Sequence, residues 1–299
     1  MSSPAVRHRR DLCPGVLRPW PAEDGALVRL RLVGGQVSPT SLTRLLEVAT
    51  TYGDGTVHLT KRANLQLRAL PADGGCLASE VVTAIEATGL LPSPTHELVR
   101  NIMVSPLSGL LTEDLRGSQS PGDCNPRNNG RADLRPLARA LDEALCADPT
   151  YAGLSARFLF VLDDGRGDVV GRNCDLGWVA LDADTVQLRI GEAWGEVVPL
   201  ERAVPELLAL AGAFVAARGT GPTSPWHVTE LDRPLTETRD RDPRTRVSTD
   251  PPAYGRLAEG VEHVAVADGL LTPGLLERLV TGRPDHLVVT PWRSVIVCD

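Results

Sequence analysis

The 299 residues exceed the length at which one hydrophobic core usually keeps growing, so two or more subdomains are expected. Hydrophobic residues at 42% and charged residues at 23% are the balance of a globular protein, and aromatics at 4% leave the core to Leu, Val and Ala. A formal net charge of −7 argues against a general nucleic-acid binder, which needs a surplus of Lys and Arg, but leaves room for a local basic site.

Strict alternation predicts a strand from Leu27 to Val33, closed by Gly34-Gly35. Ser38-Pro39 reads as an N-cap with proline at the first helical position, opening a helix through Ala49 whose buried face is Leu42, Leu45, Leu46 and Ala49. After the turn Gly53-Asp54-Gly55, a second extended segment runs from Val57 to Arg68. In the middle of the chain, Leu134 to Ala147 has helical periodicity and Phe158 to Leu162 is a short apolar strand. Trp178 to Leu181 and Val186 to Ile190 form a hairpin across Asp182-Ala183-Asp184, and Val204 to Arg218 is a helix closed by Gly219. Thr112 to Gly130 and Thr220 to Tyr254 are polar, Pro-rich and read as unpacked, the second as a linker.

The first unit occurs again near the end. GQVSPTSLTRLL from Gly35 is matched by GLLTPGLLERLV from Gly269, each followed by a Thr-containing strand, Val57 to Leu67 and Leu287 to Val297. The expected division is 1–75, a first half-unit; 76–219, a central α/β domain with a polar loop at 112–130; 220–255, a linker; and 256–299, a second half-unit.

Period-two alternation sorts the first half-unit's side chains. Val28, Leu30 and Leu32, with Val57, Leu59, Ala63, Leu65 and Leu67, make one face. Arg29, Arg31, His58, Thr60, Arg62, Asn64, Gln66 and Arg68 make the other. That second face is either the solvated side of an amphipathic sheet or a cradle for carboxylates or phosphates, since like charges across strands repel unless an anion lies between them. Arg100-Asn101 in an apolar stretch and Arg157 before Phe158 are further basic positions. The cysteines Cys13, Cys76, Cys124, Cys146, Cys174 and Cys298 are scattered, with no two at a short metal-binding spacing, so no metal ligand is predicted.

These stretches resemble the sirohaem-dependent nitrite and sulfite reductase superfamily, and within it most closely the precorrin-3B synthases of aerobic cobalamin biosynthesis. The resemblance is carried by Cys13-Pro14-Gly15, LVRLRLVGGQVS from Leu27, HLTKRANLQLR from His58, VRNIMVSPLSG from Val99, RFLFVLDDGRGD from Arg157 and TPWR from Thr290. It implies an α+β fold in which two ferredoxin-like half-domains form a pseudo-two-fold pair beside a central reductase-like α/β domain. It also implies that Arg29, Arg100 and Arg157 surround the reacting ligand, while His58, Thr60, Arg62, Asn64, Gln66 and Asn101 hold a tetrapyrrole, either a precorrin substrate or sirohaem.

The implied activity is oxygen-dependent hydroxylation of a precorrin with lactone formation. The alternatives are a non-catalytic tetrapyrrole-binding relative and a sirohaem-dependent reductase. Leu159 stands where reductases of small oxyanions carry a second basic residue. The family also holds a [4Fe–4S] cluster through two cysteine pairs in a segment after the second repeat. This sequence stops at Cys298-Asp299, where that segment would begin, so the chain alone is expected not to assemble the cluster unless a partner chain supplies it. The electron donor is left open. Neither nucleic acid nor membrane is an expected partner, and the cytoplasm is the expected compartment. No stretch approaches ~18 apolar residues, and Asp11 to Gly15 follows the basic start where a signal peptide needs an apolar run.

Overall fold

The computed structural model describes residues 11–111, 130–221 and 223–299. The expected loop at 112–130, with Cys124, lies almost wholly outside them. In chain order the first elements are β1 (Trp20–Ala22), β2 (Gly25–Leu30), β3 (Gln36–Val37), α1 (Pro39–Tyr52), β4 (Val57–Leu59), β5 (Leu65–Leu70), the hairpin β6 (Ala72–Asp73) and β7 (Cys76–Leu77), and α2 (Ser79–Glu86). There follow β8 (Ile102–Val104), α3 (Arg135–Ala147), β9 (Phe160–Asp163), β10 (Leu176–Ala180), β11 (Thr185–Ile190), β12 (Ala193–Pro199) and α4 (Leu200–Arg218). The chain closes with β13 (Gly255–Ala258), β14 (Val261–Val264), β15 (Leu270–Leu271), α5 (Pro273–Val280), β16 (His286–Val289) and β17 (Val295–Cys298). The fold is mixed α+β.

Two compact units divide these elements. One holds Leu12–Arg100 with Pro252–Asp299; the other holds Asp11 and Asn101–Pro251. The division departs from the expected boundaries. Residues 76–100, including α2, group with the half-units, and the expected linker groups with the central domain.

In the first of these units, the alternation that predicted β2 is the burial pattern observed: Val28, Leu30 and Leu32 are buried, and Arg29 is half-exposed. The returning segment is not one strand. It is β4 and β5 joined by a tight turn at Thr60 to Asn64, which pairs Leu59 with Leu65 and His58 with Gln66. Because this turn occupies an even number of steps, the side-chain parity read from sequence survives it.

The repeat is structural. Ser38 caps α1 by accepting from the Ser41 amide, and Thr272 caps α5 by accepting from the Leu275 amide, each before a helix-opening proline. The turn after β4 recurs after β16. The amides of Arg62 and Asn64 donate to the Thr60 hydroxyl at 3.4 and 3.1 Å; those of Trp292 and Ser294 donate to the Thr290 hydroxyl at 3.3 and 3.2 Å. Ala63 and Arg293 take the same left-handed conformation, φ 56° and 60°.

The two sheets also exchange strands. One has the order β1-β2-β5-β4-β15 and the other β13-β14-β17-β16-β3, so the short strand before each helix completes the other repeat's sheet. Leu271 pairs with Val57 and Val37 with Leu287, the same register in both halves. One core serves both sheets, running from Val28, Leu42 and Leu65 to Leu276, Leu287 and Val295.

The other unit is a five-stranded sheet of order β12-β11-β10-β9-β8, with β9 parallel to both β8 and β10. The hairpin between β10 and β11 forms as predicted, with Asp182 accepting from the Asp184 and Thr185 amides. Phe158, Phe160 and Phe214 cluster beneath α4. The stretch read as an unpacked linker is held against this sheet. Arg239 bridges to Trp194, the Gln187 side chain donates to Asp240 and accepts from Asp242, and Thr249 donates to the Arg166 carbonyl.

Gly35 marks where the exchange is tightest. It has φ +74°, and a Cβ there would collide with the carbonyl oxygen of Val289. Gly89 has φ +75° with nothing near its missing Cβ. Gly89→Ala should cost about 1–2 kcal/mol for the left-handed conformation alone. Gly35→Ala should lower the urea midpoint clearly further, because the borrowed strand must also shift.

Candidate functional site

The arginine face is built on β2, β5 and the turn after β4. His58, Gln66 and Arg29 form one cross-strand row, and an Arg29 guanidinium nitrogen donates to the Gln66 amide oxygen at 3.3 Å. Arg31 lies one pleat further along the same face, 4% exposed. Its hydrogen bonds go to the carbonyls of Pro14 and Arg29, both at 3.2 Å, and its Nε has no hydrogen-bond partner. Among the described residues no carboxylate forms an ion pair with it. Burial first, then the charge of Arg29, brings the Arg31 pKa down to about 10; Arg62 acts in the same direction, and Cys13 and Glu97 act against it.

Glu97 is the acid closest in effect, yet its oxygens accept the amides of Val16 and Leu17 at 2.7 and 3.0 Å. That contact explains the Cys13-Pro14-Gly15 stretch. A side chain at position 15 would strike the Glu97 carboxylate, and the Pro14 carbonyl is what Arg31 donates to.

Several expected ligand residues have structural partners instead. His58 meets Asp54 at 2.6 Å; burial raises the Asp54 carboxyl, but the hydrogen bonds from His58 and Thr56 outweigh it and hold it below its usual range. Arg68 pairs with Asp24 at 3.1 Å. The face is therefore less one-signed than the alternation predicts, because turns on either side of the strands lend acids to its ends. Thr60 closes the turn, and the Asn64 side chain accepts from the Leu32 amide at 2.9 Å, stitching β2 to the turn. Arg100 is 6% exposed.

Asn101 and Arg157 lie in the other unit. The Asn101 side chain donates to the Ala156 carbonyl at 3.1 Å. Arg157 is 3.6 Å from the Asp11 carboxylate, and its guanidinium carbon stacks 4.8 Å above the Trp226 ring. Leu159 is 5% exposed and packs with Met103, Val161, Val169 and Cys174, so it belongs to the core.

The described residues do not fit an iron–sulfur cluster. Among them, the only three metal-ligating side chains within reach of one another are Asp163, Asp164 and Asp168, oxygen ligands of the wrong kind. Cys174 is buried, which pushes its thiol up to about 12 and away from the thiolate form a cluster needs.

Residues 20–74 match the nitrite/sulfite reductase ferredoxin-like half domain. Those residues contain β2, β3, α1, the turn and β5, the whole arginine face of the first repeat. The first repeat is therefore similar to the half domain of nitrite and sulfite reductases. It is 28% identical over 288 residues to a precorrin-3B synthase from Sinorhizobium sp, a match covering 89% of this chain and 54% of that protein. The structure of the Mycobacterium tuberculosis NirA protein superposes with a TM-score of 0.62 at 17% identity, over 99% of this chain and 59% of that one. The chain thus spans little more than half the length of these relatives. Among the described residues no helix is long and apolar enough to cross a membrane.

Sequence reasoning in the superfamily pattern missed the loop after β9. Asp163 accepts the amides of Gly165, Gly167 and Val169, and Asp168 accepts from the Ser105 hydroxyl at 2.6 Å. The glycines of Asp163-Asp164-Gly165-Arg166-Gly167-Asp168 were the available signal for such a turn. Burial, then the charges of Asp163 and Asp164, raises the Asp168 pKa to about 8, with Arg166 and Ser105 opposing. A carboxyl whose folded pKa lies above its unfolded value contributes stability that is full below about pH 4 and lost as pH rises through about 8. The protein should therefore be less stable at pH 9 than at pH 6, and Asp168→Asn should flatten that dependence in thermal melts.

Proposed function

We propose that this chain binds a polycarboxylate tetrapyrrole on the arginine face of its first repeat, as a cytoplasmic precorrin-3B synthase-like oxidoreductase. The observation that carries the reading is Arg31. It is a buried guanidinium with an unpaired Nε and, among the described residues, no carboxylate partner; burial first, then the charges of Arg29 and Arg62, lowers its pKa to about 10. A fold holds cations this way at a cost, and the acidic groups of an anionic ligand would offset it. The similarity to a precorrin-3B synthase supports the same ligand class.

In this reading Arg29, Arg31 and Arg62 neutralise peripheral carboxylates and fix the orientation of the macrocycle. Gln66 holds the Arg29 guanidinium, and Asn64 and Thr60 keep the turn that carries Arg62. Arg100 binds a further acidic group. Hydroxylation with lactone formation would need an oxidising centre that the described residues do not fit, and the chain's own share is binding and charge neutralisation. A non-catalytic tetrapyrrole-binding protein would share this face; iron analysis of anaerobically purified protein separates the two, an enzyme carrying iron and a carrier none.

Sirohaem titration followed by absorbance tests the face. Arg62→Ala should raise Kd about tenfold to a hundredfold, the range of one charge-assisted hydrogen bond. Added salt should weaken the wild type more than the variant. Equal affinity and equal salt dependence in both would sink the assignment.

A further inference from the structure

The two repeats differ in what lies beside their helices. In the first, α2 packs against α1, and its Val81 and Ile85 are buried in the core that holds Val28, Leu30 and Leu67. Arg44 of α1 donates to the carbonyl of Ala87, the residue that ends α2, at 3.2 Å. Aligning the repeats puts Arg278 of α5 in the place of Arg44, with Leu275 and Leu279 on the same side of the helix. The strand registers put Glu262, Val264 and Val297 in the places of Val28, Leu30 and Leu67.

These six residues of the second repeat line a cavity of about 770 Å³. Among the described residues no helix serves the second repeat as α2 serves the first. Val28, Leu30 and Leu67 are accordingly at most 2% exposed, whereas Val264, Val297 and Leu275 are only half-buried and Glu262 and Arg278 are exposed.

Half-covered apolar side chains on a sheet and a neighbouring helix are the lining that an amphipathic helix fills, through residues spaced i and i+4 as Val81 and Ile85 are. Charge sets the rest of the fit. Glu262 stands where the first repeat has an apolar valine, so the incoming helix needs a Lys or Arg there. Arg278, which donates to the Gly274 carbonyl of its own helix at 3.1 Å, stands where Arg44 reaches the end of α2. A cation there suits the carbonyl end of a helix. A second copy cannot offer its α2, whose apolar stripe is already buried in its own chain.

We propose that this cavity receives an amphipathic helix from a partner polypeptide, apolar at i and i+4 and carrying a basic side chain towards Glu262, with Arg278 at its C-terminal end. The cavity lies wholly within one compact unit, and its occupation does not depend on the tetrapyrrole reading.

The probe is a fluorescein-labelled peptide of residues 77–91, stapled as a helix, with Glu80 and Glu86 replaced by Lys. Fluorescence anisotropy with the full chain should show saturable, micromolar binding. Leu275→Asp should weaken it about tenfold to a hundredfold. Aspartate is favoured in the first turn of a helix, so α5 stands in that variant. Arg278→Ala should weaken binding about twofold to fivefold. Glu262→Lys should weaken the lysine peptide to a similar degree and tighten the unaltered acidic one. Absence of binding, affinity untouched by Leu275→Asp, or a lysine peptide indifferent to Glu262→Lys overturns the proposal. Dimers in sedimentation velocity that Leu275→Asp converts to monomers overturn it as well, and assign the cavity to a second copy.

Discussion

Neither sheet of the half-unit pair is complete without a two-residue strand lent by the other repeat. β15 covers the edge of β4 and β3 covers the edge of β16, so each loan removes an exposed edge and fixes the register of its host. The arginine row depends on this exchange. His58 lies opposite Leu270, and its cross-strand neighbours on the other side are Gln66 and then Arg29.

Duplication supplied two equivalent frames, and the chain uses them differently. Cross-strand registers place His263 where the first repeat has Arg29, Ile296 where it has Gln66 and Val288 where it has His58. In the matching turns, Trp292 stands in the place of Arg62. The second row is apolar and aromatic, with the Tyr254 ring tilted against His263 at 4.7 Å, and His263 itself is buried, which lowers its pKa. The same backbone therefore carries a cationic surface once and a packed interior once.

Much of this was legible in residue order. Alternation around Arg29, the Ser38 and Thr272 caps and the repeated helix all act over a few residues, where sequence spacing and spatial spacing coincide. The exchanged strands were hidden because two residues cannot display a period and their partners lie at the far end of the chain. Residues 220–255 read as a linker because partners of their polar groups lie far off in sequence, such as Gln187 for the Asp240 carbonyl and the Asp242 amide. Asp54 beside His58 was within reach of inspection, four residues back across a glycine turn.

Strand exchange also dictates a timetable. Val37 cannot find its place until Leu287 has been made, and Val57 waits for Leu271. During synthesis the nascent first repeat therefore leaves the ribosome with an open sheet edge and a half-covered core. It stays in that condition while the entire intervening domain is translated. Closure of the first repeat thus waits for the second, coupling maturation of the arginine face to synthesis of β15 and β16.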